Sequence, residues 1–345
     1  MNKDLLLLLL SSTQPRRIKL IQNLLNGKRT VSTLFWAMRY GLLQYSAILK
    51  TYDLNSINDD IKKLIDNGLA DPVDEYQYQL TNKGQIKKDS LKESFYILKN
   101  ASYQYDYDVN EFKSRLLLAI QSVSEYSYQN KNYYPVKTDM KSAMIVKRWF
   151  IQNKLEIIKR LEGYLTKYLS QIDEQEANII AQQMIGHDVF GMTNRQMADN
   201  MSISNVEAYF MEYDGWVDFI NYIINDDDKL LFPLISDIRT LKMNHHAILT
   251  YKQFVSGNTL YQIANNLRVK ISTVREHLLE MAIWLPRDKF PYDKIINFER
   301  ETILSKAFFD QPIDDWQFRQ ISESTNIDFF TFRIYQILRS KQDVK

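Results

Sequence analysis

Residues Thr250–Glu280 read TYKQFVSGNTLYQIANNLRVKISTVREHLLE, and the spacing of their small and apolar residues is that of two short helices joined by a tight turn. Ile263 and Ala264 fall inside a first helix, Leu267 and Val269 bracket the turn, and Val274 lies ten residues after Ala264. Two helices that cross steeply need a small side chain where their backbones approach, which Ala264 supplies, and apolar residues beside the turn to close the wedge. The second helix, from Ile271 to Met281, is then presented outward with Lys270, Ile271, Ser272, Arg275 and Glu276 on its exposed side. Cations at the start of such a helix lie where phosphates and base edges are met. The stretch predicts a helix-turn-helix contacting DNA through Arg268, Lys270, Ser272, Thr273 and Arg275.

The same signature occurs three times. Gln196-Met197-Ala198, Gln262-Ile263-Ala264 and Gln320-Ile321-Ser322 are each followed by an apolar residue or Thr three positions on (Met201, Leu267, Thr325) and by Ile or Val five positions on (Ile203, Val269, Ile327). The unequal intervals, 66 and 58 residues, indicate duplicated helical units rather than a solenoid. The third copy is degenerate. Residues 15–88 read as a winged helix: a basic helix Arg16–Leu25 stopped by Asn26-Gly27, helical stretches Val31–Tyr40 and Leu42–Lys50, a helix Ile57–Asp66 capped by Ser56 and stopped by Asn67-Gly68, and a two-stranded wing over Leu69–Leu80. Between these parts lie a helix from Val109 to Ser124 and a long amphipathic stretch from Met144 to Ser170. The latter sets Val146, Trp149, Phe150, Leu155, Ile158, Leu161, Leu165 and Leu169 on one side and cations on the other. Tyr103, Tyr105, Tyr107, Tyr126 and Tyr128 could stack on unpaired bases, but read first as packing residues.

The expected fold is mainly α, an N-terminal winged helix followed by helical helix-turn-helix units. Five segments carry it: a winged-helix-like domain (1–90), a helical linker domain with a basic face (91–170), an acidic helix-turn-helix-like unit (171–238), a basic helix-turn-helix (239–290) and a degenerate C-terminal unit (291–345). Nine Gly and seven Pro in 345 residues fall well below the roughly 12% average, as expected of a chain with few turns.

Charge separates the copies. From Asp199 to Asp237 nine acids face one base, Lys229, whereas from Arg239 to Lys289 eight bases face three acids. From Asp310 to Lys345 six acids nearly balance five bases. Binding to a polyanion is dominated by cation–phosphate contacts, so only the second copy suits DNA. Two further basic stretches share its sign and extend the candidate DNA contacts into one positive track: Arg16, Arg17, Lys28 and Arg29, beside Lys19 and with no acid between Ser11 and Trp36, and Lys147 and Arg148 among the nine bases of residues 131–167. The helix before the wing carries Asp59, Asp60 and Asp66. Carboxylates repel phosphate, so Asp59, Asp60, Glu207 and Asp214 are candidates for a protein partner instead.

Catalytic chemistry is missing from the sequence. His187, His245, His246 and His277 have no metal-ligand spacing, Asp226-Asp227-Asp228 diverge around one turn, and no Gly-rich phosphate loop, nucleophile elbow or paired-carboxylate signature occurs. Neither an enzyme, a cofactor, a metal nor a small-molecule substrate is expected. The run Leu5–Leu10 is too short to span a membrane and has no small-residue cleavage site, so it predicts a helix docked into a core. The absence of cysteine fits a reducing cytoplasm.

Gly257-Asn258-Thr259-Leu260, Gln262-Ile263-Ala264 and Ser272-Thr273-Val274-Arg275-Glu276-His277-Leu278 resemble the helicase-associated helix-turn-helix domain at the C-terminus of some RecQ-type DNA helicases. The same domain ends a stand-alone Firmicutes family encoded beside the RecQ helicase gene. This chain also resembles that family at Leu25-Asn26-Gly27-Lys28-Arg29-Thr30-Val31-Ser32 and at Leu80-Thr81-Asn82-Lys83-Gly84. Arg268 and Lys270 stand where many helix-turn-helices have Gly and a Ser or Thr cap, adding charge where phosphate would lie. The resemblance implies a non-enzymatic DNA-binding accessory factor, on duplex or forked DNA, related to a RecQ-type helicase in replication or repair. A sequence-specific transcription regulator and a protein-interaction scaffold without DNA contact are the alternatives.

Overall fold

Short polar side chains mark where many of the helices begin. Thr30, Asp108, Asp139, Asp173, Asn244 and Asn297 each accept a hydrogen bond from a backbone N–H of the helix that follows. The computed structural model describes residues 2–50, 52, 57–102 and 105–342, so the cap assigned to Ser56 and the side chains of Tyr103 and Tyr105 lie outside the described residues.

Among the described residues the chain is mainly helical. The N-terminal third holds α1 (Lys3–Leu9), β1 (Arg16–Arg17), α2 (Ile18–Leu25), α3 (Val31–Arg39), α4 (Ile57–Asp66), β2 (Ala70–Pro72), β3 (Gln77–Leu80) and α5 (Asn82–Ser94). The middle holds β4 (Tyr105–Tyr107), α6 (Val109–Ser127), α7 (Met140–Asn153), α8 (Ile157–Leu169), α9 (Glu174–Ala181), α10 (Asn194–Met201), α11 (Asn205–Asn225) and β5 (Arg239–Leu241). The last third holds α12 (His245–Val255), α13 (Leu260–Leu267), α14 (Ile271–Trp284), α15 (Phe298–Ala307), α16 (Arg319–Ser322) and α17 (Phe329–Ser340). No helix of the described residues is long and apolar enough to cross a membrane. Leu5, Leu6 and Leu7 of α1 are buried, as their docking role predicts.

Two compact units divide the chain, and each draws on separated segments. The first comprises Met1–Leu8, Asn82–Ala101 and Asp106–Thr240. Its core is aromatic: Phe112 meets Trp216 and Phe219 edge-on, and Tyr168 stacks on Phe219 at 4.1 Å. Trp149 is buried and donates to the Leu230 carbonyl at 2.7 Å. Arg115 is fully buried, donating to Ser142 Oγ at 2.9 Å, to the Ser236 carbonyl at 2.7 Å and to Asp237 and Glu111. A buried guanidinium is tolerable only with such partners, and here they tie α6 to the start of α7. The single amphipathic stretch expected over Met144–Ser170 is two helices, α7 and α8, with a break at residues 154–156. The break rotates the apolar face, so α8 buries Ile157, Leu161, Tyr164 and Tyr168 while Leu155 is fully exposed.

The second unit comprises Leu9–Thr81, Ser102–Tyr105 and Leu241–Lys345. Here α2, α3 and α4 precede a β2–β3 hairpin that pairs Ala70 with Leu80, and β1 adds a third antiparallel strand with Arg16 opposite Tyr78. Arg16 and Arg17 are therefore strand residues and the helix begins at Ile18. The helix expected over Leu42–Lys50 is a 3₁₀ turn at Leu43–Tyr45 followed by irregular turns, because Gly41 and Ala47 both take positive φ, +66° and +65°.

Candidate nucleic-acid interface

Helices α12, α13 and α14 pack around Ala247, Phe254, Ile263, Ala264, Val274 and Leu278, all buried. Ala264 and Val274 occupy the inner positions that their ten-residue spacing predicts. Thr259 caps α13 by accepting from Gln262 N–H, and the Gln262 side chain returns to the Thr259 N–H at 2.8 Å, a complete capping box. Arg268 ends α13 in the left-handed region, φ 53° and ψ 44°, and Lys270 stands at the start of α14, φ −73° and ψ 153°.

The first copy repeats this backbone. Thr193 and Gln196 form the same capping box on α10, Ser202 takes φ 54° and ψ 36°, and Ser204 starts α11 at φ −75° and ψ 153°. One difference matters chemically. Ser204 accepts from Glu207 N–H and the Glu207 carboxylate returns to the Ser204 N–H, closing the start of α11, whereas Lys270 makes no side-chain cap and leaves the start of α14 open. An uncapped helix start directs N–H groups and a partial positive charge outward, a setting that favours phosphate. Arg268, Lys270 and Ser272 are exposed around it, with Thr273 half-buried. Tyr261, Asn265 and Asn266 on α13 are also exposed; the apolar spacing used to find the motif says nothing about them. In the third copy α16 is only four residues long and α17 is capped by Asp328, so the turn geometry is not repeated.

Other predicted contacts have internal partners. Arg275 reaches Asp328 at 2.9 Å and lies over the Phe330 ring at 5.7 Å, so it braces α14 against the start of α17. Arg29 pairs with Glu280 at 2.6 Å and also donates to the Lys242 carbonyl, while Asn244 N–H donates to the same Glu280. Arg16 donates to the Leu9 carbonyl at 2.6 Å and the Tyr40 carbonyl at 2.9 Å, and burial lowers its pKa. These three cations are structural ties, Arg29 through its partners although it is exposed like Arg17 and Lys28, and sequence charge alone does not separate the two sets. Arg17 lies over Trp36 at 5.3 Å.

The acidic candidates divide in the same way. Asp59 is exposed, but Asp60 is buried on the inner face of α4. Glu207 completes the capping box with Ser204 at the start of α11 and also accepts from Tyr96 N–H. Asp214 is 2% exposed and accepts from Tyr96 Oη at 2.9 Å and from the N–H groups of Lys99 and Asn100 at 2.8 and 2.9 Å. Burial still raises its pKa despite these donors. The net negative charge of residues 199–237 is met within the same unit by the basic stretch before it: Lys141 pairs with Asp237, Arg160 with Asp228 and Lys167 with Asp226. Lys113 pairs with Glu212. Lys147 and Arg148 remain exposed on α7. Tyr107 is buried, Tyr126 meets Phe150 edge-on and Tyr128 stacks on His187 at 4.4 Å, all packing contacts. Among the described residues no group of three or more His, Asp or Glu side chains is placed to hold a metal ion.

Residues 246–336, from α12 into α17, match a family described as a helix-turn-helix domain. The chain therefore carries a helix-turn-helix domain in its C-terminal third. It is similar to protein YpbB of Bacillus subtilis (strain 168), 24% identical over 269 residues that make up 76% of each chain. No solved structure matches.

Proposed function

We propose that the chain is a non-enzymatic DNA-binding protein that holds the phosphate backbone at the start of α14, and that it serves as an accessory factor to a RecQ-type helicase. One observation carries the DNA contact: the same backbone is closed by Ser204 and Glu207 in the acidic copy and left open between Arg268 and Lys270 in the basic copy. The helix-turn-helix match over residues 246–336 supports the same reading. Arg268 and Lys270 contact phosphate, Ser272 and Thr273 supply first-turn N–H groups, and Arg275 fixes the helix rather than the ligand. The helicase connection rests on the sequence resemblance of the segments around Gly257–Leu278 and Leu25–Ser32.

The test is an electrophoretic shift series on duplex, forked and single-stranded DNA, with and without purified helicase. Salt-sensitive binding of duplex or fork, with a further shifted complex when helicase is added, is the expected result. Binding of DNA without any ternary complex at low salt removes the helicase role, and no DNA binding at all favours a protein scaffold.

A further inference from the structure

Helix α7 presents two faces of opposite use. Ser142, Val146 and Trp149 are buried in the first unit, while Met140, Met144 and Ile151 are 81%, 57% and 61% exposed, and Leu155 just past the helix end is fully exposed. At about 100° per residue Met140, Met144 and Ile151 fall within about 40° of one another on the side opposite Val146 and Trp149, and Leu155 follows in the turn between α7 and α8. Lys147 and Lys154 flank these three on one side and Arg148 on the other, all exposed. Scattered exposed apolar residues are ordinary, but three aligned on one helix and bordered by cations form a ridge with a direction.

We propose that this ridge docks an acidic amphipathic helix of a partner protein, its apolar stripe on Met140, Met144 and Ile151 and its carboxylates on Lys147, Arg148 and Lys154. Charge decides the occupant. A second copy of the chain laid face to face would set cations against cations, which opposes association. Nucleic acid would satisfy the cations but press three methionine and isoleucine side chains against a charged, hydrated backbone. A helix with apolar residues at i, i+3, i+4 and i+7 and acids beside them satisfies both features at once. The ridge lies in the first compact unit and is independent of the DNA contact assigned to α14.

The test uses the full chain with four probes: a labelled helical peptide carrying a leucine stripe flanked by glutamates, the same peptide with lysines in place of the glutamates, vesicles of phosphatidylcholine and phosphatidylglycerol, and a labelled DNA duplex. The glutamate peptide should bind at least about tenfold more tightly than the lysine peptide, and M144S/I151S and K147E/R148E should each weaken it about tenfold or more. Should the first pair lower the melting temperature, M140S alone repeats the measurement at the exposed start of the ridge. Equal binding of the two peptides, or unchanged binding by the variants, overturns the proposal. So does vesicle or duplex binding that M144S/I151S abolishes, which would assign the ridge to lipid or nucleic acid.

Discussion

Ser204 and Lys270 hold the same backbone conformation at the start of two copies of one motif, and only Ser204 caps its helix. The basic copy gives up a cap worth about 1 kcal/mol and sets a cation against the positive end of the helix dipole. K270S should therefore raise stability by ~0.5–1 kcal/mol in urea denaturation while weakening DNA binding. S204K should lower stability by about 1 kcal/mol and leave DNA binding unchanged. A K270S variant that binds DNA as tightly as the native chain would show that the open helix start is not the contact.

Arg275 was the most central cation of the predicted recognition helix, and the Asp328 carboxylate 2.9 Å away changes what its loss should do. Both side chains are about two-fifths exposed, so R275A should cost only ~0.2–1 kcal/mol. D328A also removes the cap on Thr331 N–H and should cost about 1–2 kcal/mol. The DNA salt slope of R275A should fall by less than about one unit, because the guanidinium is already paired. A fall of a full unit with unchanged stability would return Arg275 to the phosphate contacts.

Asp214 supports residues 96–100 from inside the first unit. D214A leaves Tyr96 Oη and two backbone N–H groups without their acceptor. A loss of about 2–4 kcal/mol is expected in denaturant unfolding. A loss below about 1 kcal/mol would mean that water or a neighbour replaces the carboxylate.

Much of this was legible along the chain, and the remainder was not for a consistent reason. Ile263, Ala264 and Val274 were readable because helix packing imposes a short, local spacing, and the Thr259–Gln262 box because capping acts over three residues. The identity of exposed cations was hidden: Arg29 meets Glu280 from 251 residues away, and Lys167 meets Asp226 from 59. Summed charge over a segment counts such pairs as free. The break between α7 and α8 was missed because Leu155 continues the apolar pattern in sequence although the chain has already turned.

His277 on α14 shares a 2.8 Å hydrogen bond with Thr250 on α12. Burial lowers its pKa below the ordinary 6.5, and the His246 charge adds to this, while Glu280 and Glu276 oppose it. The neutral ring is therefore the form that the fold prefers. Its contribution is complete above 6.5 and is lost as pH falls below that value toward the depressed folded pKa. The melting temperature should fall between about pH 7.5 and pH 5, and H277Q should show a shallower fall. Parallel curves for the two proteins would remove His277 from the pH response.

The account stands on the start of α14 as the phosphate contact, and the salt dependence of duplex binding tests it most directly. Affinity measured from about 50 to 200 mM salt for the native chain and R268A/K270A gives slopes of log affinity against log salt concentration. Two lost phosphate contacts predict a slope shallower by about two units and weaker binding to duplexes of unrelated sequence alike. The same affinity and the same slope in both proteins would contradict it.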